Sequence, residues 1–524
     1  MSSDIPPPPA EWWRGAVLYQ VYPRSFQDSD GDGVGDIPGI TARLDHVAAL
    51  GVDGIWVSPV FASPMADYGY DVSDYRAIDP LFGTMADFDA MVAKAHRLGL
   101  KVLLDQVWSH TSDRHPWFLD SAAGGGKRDW YVWADAKPDG SPPNNWLSVF
   151  GGPAWRWDPR RRQYYLHHFL SSQPALNLRN EAVVEALLEV GAFWLERGVD
   201  GFRLDAVDFM LHDPKLTDNP PRPPAGGVMP VKPFALQRHI HDMAHPDTHG
   251  LLARIRGLMD RYPGRTTVAE VSSEFDALER AGNYTGAAGR RLHMAYTLRL
   301  MRGGFDPAAF VAAIAEVEAK LADGWLCWSF SNHDVERVAS RWGDGSPAMA
   351  RLLMALLLSL RGTPCLYQGE ELGLTEAELA FEDLKDPYGI NFWPQFTGRD
   401  GCRTPMPWAA EAAYGGFSTR RPWLPLPDQH RALAVDRQEG DPGSMLAFTR
   451  RFVAWRKAHP ALVAGCMTPR ESPAGTVIFE RATGTERLLC IFNFNLEPVS
   501  LTVPEAEGGR LRVEAMATAF LASR

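Results

Sequence analysis

The sequence predicts an α/β protein: a parallel (β/α)8 barrel with an inserted lobe after its third strand and an antiparallel β domain at its C-terminal end. Three observations carry that prediction. Short apolar runs closed by proline or a polar residue alternate with amphipathic segments, as parallel crossover units do. The alternation supplies eight such runs, the number at which a parallel sheet of this kind closes on itself. Past residue 460 the pattern turns to short strand-like stretches with turns between them.

Val17–Tyr22, closed by Pro23, reads as the first strand, Gly54–Ser58, closed by Pro59, as the second, and Lys101–Asp105 as the third. Between them Ile40–Leu50 places Leu44, Val47 and Ala48 on one face, and Asp87–Leu98 does so with Phe88, Met91, Val92 and Ala95. Residues 111–180 are rich in Trp, Gly, Pro and Asp, with short strand-like pieces such as Gln163–His167. That is too long for a βα loop in a compact domain, so it is an inserted lobe. Alternation resumes with helix Glu181–Arg197 and strand Val199–Asp205, then strands Thr266–Glu270, Leu292–Tyr296, Leu326–Phe330 and Thr363–Tyr367. Residues 368–442 form a second excursion before helix Ser444–Ala458, which Pro460 is expected to stop. Strands are expected at Thr476–Arg481, Arg487–Asn493, Leu501–Val503 and Leu511–Val513. The barrel thus takes residues 1–110 and 181–460, the lobe 111–180 and the C-terminal β domain 461–524.

With 53 basic and 64 acidic residues the net charge is −11, and no basic stripe stands out. Nucleic acid and anionic membranes are therefore not expected as partners. The start, residues 1–10, is polar and proline-rich, without the apolar core of a secretory signal. The most apolar helical stretch, Leu352–Leu360, is far too short to span a bilayer. Five cysteines without CxxC spacing imply neither a disulfide framework nor a zinc site and suit a reducing compartment, so a cytoplasmic protein is expected. Most of the 18 Trp are expected in the core, with some available as sugar platforms.

The stretch Gly201–Phe209 (GFRLDAVDF) organises the chemistry. Arg203 and Asp205, two positions apart at a strand end, share one face. The guanidinium can keep the carboxylate ionised, as a nucleophile or charge stabiliser requires; alone, the pair reads equally well as a buried ion pair. Other strand ends carry Asp105 with His110, Glu270, and Asn332-His333-Asp334. In a parallel barrel the C-terminal strand ends share one rim, so these groups converge despite their separation in sequence. Gathering acids, an arginine and histidines in a cleft is costly unless it serves chemistry. No phosphate-binding glycine loop, zinc cluster or nucleophile elbow competes, which leaves carboxylate chemistry such as glycoside hydrolysis.

At these positions the chain resembles glycoside hydrolase family 13. DQVWSH (105–110), GFRLDAVDF (201–209), VAEVS (268–272) and FSNHD (330–334) match its four signature regions in order and spacing. GVDGIWVSP (51–59), DYGYD (67–71), QPALN (173–177), GTPCLYQGEELG (362–373) and GRDGCRTPMPW (398–408) extend the likeness toward the oligosaccharide-cleaving α-glucosidases, oligo-1,6-glucosidases and sucrose isomerases. The resemblance implies Asp205 as nucleophile, Glu270 as general acid/base and Asp334 as the third, sugar-binding acid. It further implies that His110, Arg203 and His333 bind glucose hydroxyls, that Tyr70 stacks beneath the ring, and that Phe169 lines the pocket or its core. Asp67 and Arg399 resemble the pair that closes the non-reducing end in exo-acting members. Ala206, after the nucleophile, points to α-1,4 rather than α-1,6 linkages.

Asp28, Asp30, Asp32 and Asp36 alternate with glycines, as oxygen-ligand cation loops do. The family's first-loop ion site has this form, which implies side-chain ligands from those four residues, the Val34 carbonyl as a fifth, and one structural calcium or magnesium ion. Ser109 stands where the family's other calcium site has Asn, so that site is not expected. No organic cofactor is implied. The expected enzyme is a retaining, exo-acting α-glucosidase, monomeric or homodimeric, acting on maltose-like disaccharides and short malto-oligosaccharides, with sucrose and aryl α-glucosides as further candidates and transglucosylation as a side activity. A glucosyltransferase or sucrose isomerase is the alternative. The sequence INFWPQFTGRD (390–400) lacks the charged loop of the isomerases. A non-catalytic transporter-type relative would need a membrane helix and would lack the acids.

Overall fold

The computed structural model describes residues 11–272, 276–286, 289–321, 323–504 and 506–522, so the proline-rich start lies outside the described residues. Eight parallel strands form one sheet: β1 Leu18–Val21, β2 Gly54–Val57, β3 Lys101–Gln106, β4 Gly201–Leu204, β5 Thr266–Val271, β6 Met294–Thr297, β7 Cys327–Trp328 and β8 Thr363–Tyr367. Their order is β6-β5-β4-β3-β2-β1-β8-β7. A parallel bridge between Ala295 and Leu326 joins the two ends, so the sheet closes into the expected barrel. Apart from the half-exposed Lys101, every barrel-strand residue is buried, which is why these strands read as continuous apolar runs rather than alternating ones. Gly201 is required for closure: a Cβ there would lie 2.3 Å from the Thr266 carbonyl oxygen on β5.

The crossovers carry helices α1 Ile37–Ala49, α2 Met85–Arg97, α3 Glu181–Glu196, α4 Thr248–Met259, α5 Ala277–Tyr284, α6 Pro307–Lys320 and α7 Pro347–Ser359. The predicted faces bury as expected, Leu44 and Val47 on α1 and Phe88, Met91, Val92 and Ala95 on α2, while Ala48 stays half-exposed. Thr84 and Asp87 form a reciprocal capping box that starts α2 two residues before the predicted point. The apolar stretch at 352–360 is the core face of α7, and no described helix is long and apolar enough to cross a membrane.

Between β3 and α3 a small antiparallel sheet pairs Gln163–Leu166 with Trp133–Ala134 and Trp155–Asp158, around a core of Trp146, Trp155 and Leu166. After the barrel come α8 Met445–Ala458 and a four-stranded antiparallel sheet, β9 Cys466–Pro469, β10 Thr476–Ala482, β11 Arg487–Asn493 and β12 Ala517–Ala522. Val499–Thr502 pairs with Arg510–Val513 beside it. Three details depart from the sequence reading. Pro460 ends α8 but also opens a short helix, Pro460–Ala464, because a first-turn proline loses no intrahelical bond. Edge strands β9 and β12 are absent from the sequence reading: β9 (CMTP) has no apolar run, and β12 (ATAFLA), though apolar, is alanine-rich and partly exposed along its length. The seventh strand is only Cys327–Trp328, since the backbone leaves the ladder to present residues 329–334 at the rim.

Candidate active site

Arg203, at the end of β4 and 0% exposed, ties four strand ends together. Its Nη1 donates to Asp205 Oδ1 at 2.6 Å and to Asp105 Oδ1, on β3, at 2.8 Å. Its Nη2 donates to Glu270 Oε2, on β5, at 2.5 Å and to Tyr296 Oη, on β6, at 2.7 Å. The Trp56 ring of β2 lies 5.0 Å from the guanidinium. Five charged or aromatic groups thus share one cation in a dry interior, where such bonds are strong and an unpaired member is expensive.

Ala206, next after Asp205, takes a left-handed backbone conformation with φ of 42°. A non-glycine residue there costs about 1–2 kcal/mol. The conformation turns the chain out of β4 and lets the Ala206 N–H donate to Glu270 Oε2 at 3.0 Å. Burial raises both acids against the opposing pull of Arg203: Glu270 to about 8, helped by the charges of Asp205 and Asp334, and Asp205 to about 7, helped by Asp105. Both carboxyls are raised toward neutrality, where two interacting acids on one cation can share a proton.

Asp334 behaves differently. Burial alone would raise it, but the guanidiniums of Arg399 and Arg403 hold it below the ordinary carboxylate range. Arg403 donates to Asp334 Oδ1 at 2.9 Å and Arg399 at 3.2 Å. Arg399 also donates to Asp67 Oδ1 and Asp386 Oδ1, both at 2.7 Å, so one cation of the cavity lining carries three acids. Burial disfavours ionising Asp386 and Asp67 alike. Arg399 wins at Asp386, held below its usual range, and burial wins at Asp67, raised above it.

Asp67, Tyr70, His110, Phe169, Asp205, Glu270, Asp334 and Arg399 line one cavity of about 590 Å³. Arg203 and His333, expected to bind sugar hydroxyls, lie one layer behind, both 0% exposed and touching groups that line it. His333 stacks on Tyr70 with ring centroids 5.2 Å apart, and its Nε2 lies 2.6 Å from the Tyr70 hydroxyl. Burial drives His333 well below its usual pKa and His110 to about 4, so both rings are neutral. His110 is held by Ser109 Oγ at 2.9 Å, which gives the residue at the unexpected-calcium position a local task. Phe169 packs between His110, at 5.2 Å, and Phe209, at 5.0 Å. No Trp lines the cavity among the described residues, so the aromatic platforms here are Phe and Tyr.

Sequence reasoning missed four contributors. Asp386 sits in the aperiodic excursion, where nothing marks it. Tyr296 hides in an apolar strand. Gln173, which donates to Asp67 at 3.1 Å, and Arg403 both lie inside the stretches QPALN and GRDGCRTPMPW, where they could have been read.

In the loop between β1 and α1, carboxylate oxygens of Asp28, Asp30 and Asp36 lie within 4.8 Å of one another. None of the three carries an ion pair among the described residues, although Asp28 and Asp36 are buried. Gly31 and Gly33, with φ of 80° and 96°, let the loop turn backbone N–H groups onto Asp28. Asp36 is also the N-cap of α1. Asp32 lies outside this trio and accepts from the Val34 N–H at 2.7 Å. Converging, unneutralised carboxylates of this kind fit a hard divalent cation.

A family model of the α-amylase catalytic domain matches residues 20–465. A probable α-glucosidase of Rhizobium meliloti (strain 1021) is 54% identical over 513 residues, 96% of this chain and 93% of its own length. Among solved structures, an α-glucosyl transfer enzyme superposes with a TM-score of 0.95 at 52% identity, covering 98% of this chain and 99% of its own. The trehalulose synthase of Pseudomonas mesoacidophila MX-45 does so with a TM-score of 0.90 at 33% identity, over 99% of this chain and 100% of its own.

Proposed function

The chain belongs to the α-amylase family, glycoside hydrolase family 13, and from that premise we propose that it is a retaining, exo-acting α-glucosidase that removes terminal α-1,4-linked glucose from short α-glucosides. That it is a glycoside hydrolase follows from the family and its α-glucosidase members. One observation supports the finer reading: a single guanidinium bridges Asp205 and Glu270 in a cavity that is also lined by Arg399, whose ties to Asp67 and Asp386 we read as the stop at the glucose end. Two carboxyls on one guanidinium leave no room for a water between Asp205 and the anomeric carbon, so the retaining spacing of about 5–5.5 Å is the one supported.

In the proposed mechanism Asp205 attacks the anomeric carbon of the bound glucose while Glu270 gives its proton to the departing oxygen. The sugar–oxygen bond breaks and a sugar–Asp205 ester forms. Glu270, now anionic, takes a proton from water, or from an acceptor hydroxyl in transglucosylation, as that oxygen displaces Asp205. Asp334, kept ionised by its arginines, binds hydroxyls of the distorting ring. Arg203 steadies both reacting carboxylates, and Asp67 with Arg399 grips the chain end. Transfer alongside hydrolysis is supported by the likeness to the α-glucosyl transfer enzyme.

A stopped pocket predicts glucose as the sole early product from both maltose and soluble starch. Early release of longer malto-oligosaccharides from starch would sink the exo reading. Ala206, small and in the cavity lining, leads us to expect maltose cleaved faster than isomaltose; product analysis of both, with sucrose to score any isomer formed, checks it.

For the acidic loop we propose one structural calcium or magnesium ion on Asp28, Asp30 and Asp36, with Asp32 and the Val34 carbonyl completing the set. When bound it supplies charge neutralisation where β1 passes into α1. Chelation is expected to lower the Tm by a few degrees, since removing a ligand at about a hundred-fold above its Kd forfeits roughly 2.7 kcal/mol. Adding back the cation restores it. An unchanged Tm in excess chelator would rule the site out.

A further inference from the structure

Seven arginines are buried among the described residues, and six of them are held by oxygen. Arg203, Arg399 and Arg403 hold carboxylates, and Arg337, Arg456 and Arg481 hold main-chain carbonyls. Arg24, in the turn after β1, holds neither. It is 7% exposed, its Nη1 has only the Met65 sulfur at 3.7 Å, and its buried Nε has no hydrogen-bond partner among the described residues. Asp32 pulls on it from beyond ion-pair distance, Arg403 repels it, and burial lowers its pKa. A buried charge is costly unless it is paired.

Tyr68 and Trp423 do not meet that need. Their ring centroids lie 5.0 and 4.8 Å from the guanidinium carbon. Aromatic rings attract the face of the cation, whereas its N–H groups radiate from the edge and require acceptors. Arg24 lines a second cavity, of about 530 Å³, which shares no lining residue with the catalytic one. Lys385 lines it too and makes no ion pair among the described residues. Of the two acids there, Asp383 is taken by Arg421 at 3.1 Å, and Glu382 is exposed and makes no ion pair with Arg24. The space offers a forked donor and room for a guest.

We propose that this cavity binds a small oxyanion, tetrahedral or carboxylate, whose oxygens accept from the edge of Arg24 with Lys385 as the second cation. A guanidinium fork matches two oxygens of one such ion, which a halide does not offer. Sulfate and acetate probe the two geometries in calorimetric titrations of the intact protein, with chloride holding the ionic strength constant. Neither strips a divalent cation from the neighbouring acidic loop as phosphate would. At least one of them should give a saturable heat fitting a single ion per chain. Arg24→Gln should abolish that heat. Arg24→Lys, which keeps the charge and loses the fork, should weaken binding roughly ten-fold. Saturable heat from sulfate, acetate or both that disappears in Arg24→Gln supports the proposal and shows which geometry is read. No saturable heat from either ion, or binding that Arg24→Gln leaves intact, overturns it. Should Arg24→Gln fail to fold by circular dichroism, unweakened binding to Arg24→Lys overturns it instead.

Discussion

Asp205→Asn will lower kcat/KM on maltose by a factor on the order of 10⁴ or more, the scale on which removing a catalytic nucleophile acts. The protein should stay folded, because an amide keeps the shape of the side chain beside Arg203; circular dichroism and a thermal melt check that. Glu270→Gln separates the two proton-transfer steps. General acid help is worth about 10²–10⁴-fold, and only a poor leaving group needs it. Maltose turnover should therefore collapse, while α-glucosyl fluoride still glucosylates Asp205. Release of that ester by water then lacks a base, and azide, which needs none, should rescue turnover and yield α-glucosyl azide. An inverted azide product would refute the covalent intermediate. In the unaltered enzyme kcat/KM should fall on the acid side as Asp205 takes up a proton, near 7, and on the alkaline side as Glu270 loses one, near 8. The alkaline limb should be absent in Glu270→Gln.

The residues that the sequence made legible share a physical cause. Barrel strands are buried on both faces, so Lys101–Gln106 and Thr363–Tyr367 stand out as apolar runs, and the polar residue ending each run marks the rim. Asp205, Glu270 and Asp334 are visible for that reason before any likeness is invoked. Asp386 is not. It holds Arg399 as closely as Asp67 does, yet it lies in a stretch whose conformation comes from capping and turns rather than from periodicity. The sequence pairs Arg203 with Asp205 by their spacing of two. That the same guanidinium also carries Asp105, Glu270 and Tyr296 depends on strand order and tilt, which no local pattern encodes. Spacing alone puts Asp205 beside the arginine; in the structure Glu270 shares that guanidinium, and burial together with the charge of Asp205 favours its protonated form.

Arg203 therefore matters to the fold as much as to the chemistry, and Arg203→Met should expose both roles. Methionine approximates the volume of the side chain but leaves Asp105, Asp205 and Glu270 facing one another in a dry interior. Breaking a buried ion network from one side costs about 3–5 kcal/mol, partly relieved as the carboxyls take up protons. That relief fixes the sign of the pH dependence. In the variant the folded-state pKa values of the three acids rise further above their unfolded values, so the folded protein binds more protons than the unfolded chain across that interval. Stability is then greatest at low pH and falls as pH climbs through the raised values. The variant's deficit against the parent protein in thermal melts should be small near pH 5 and widen by pH 8. Its residual activity should shift to higher pH, because Asp205 ionises later without its cation. A deficit that is constant with pH would mean that Arg203 acts through packing alone. The charge network would then not be what sets the two reacting carboxyls apart.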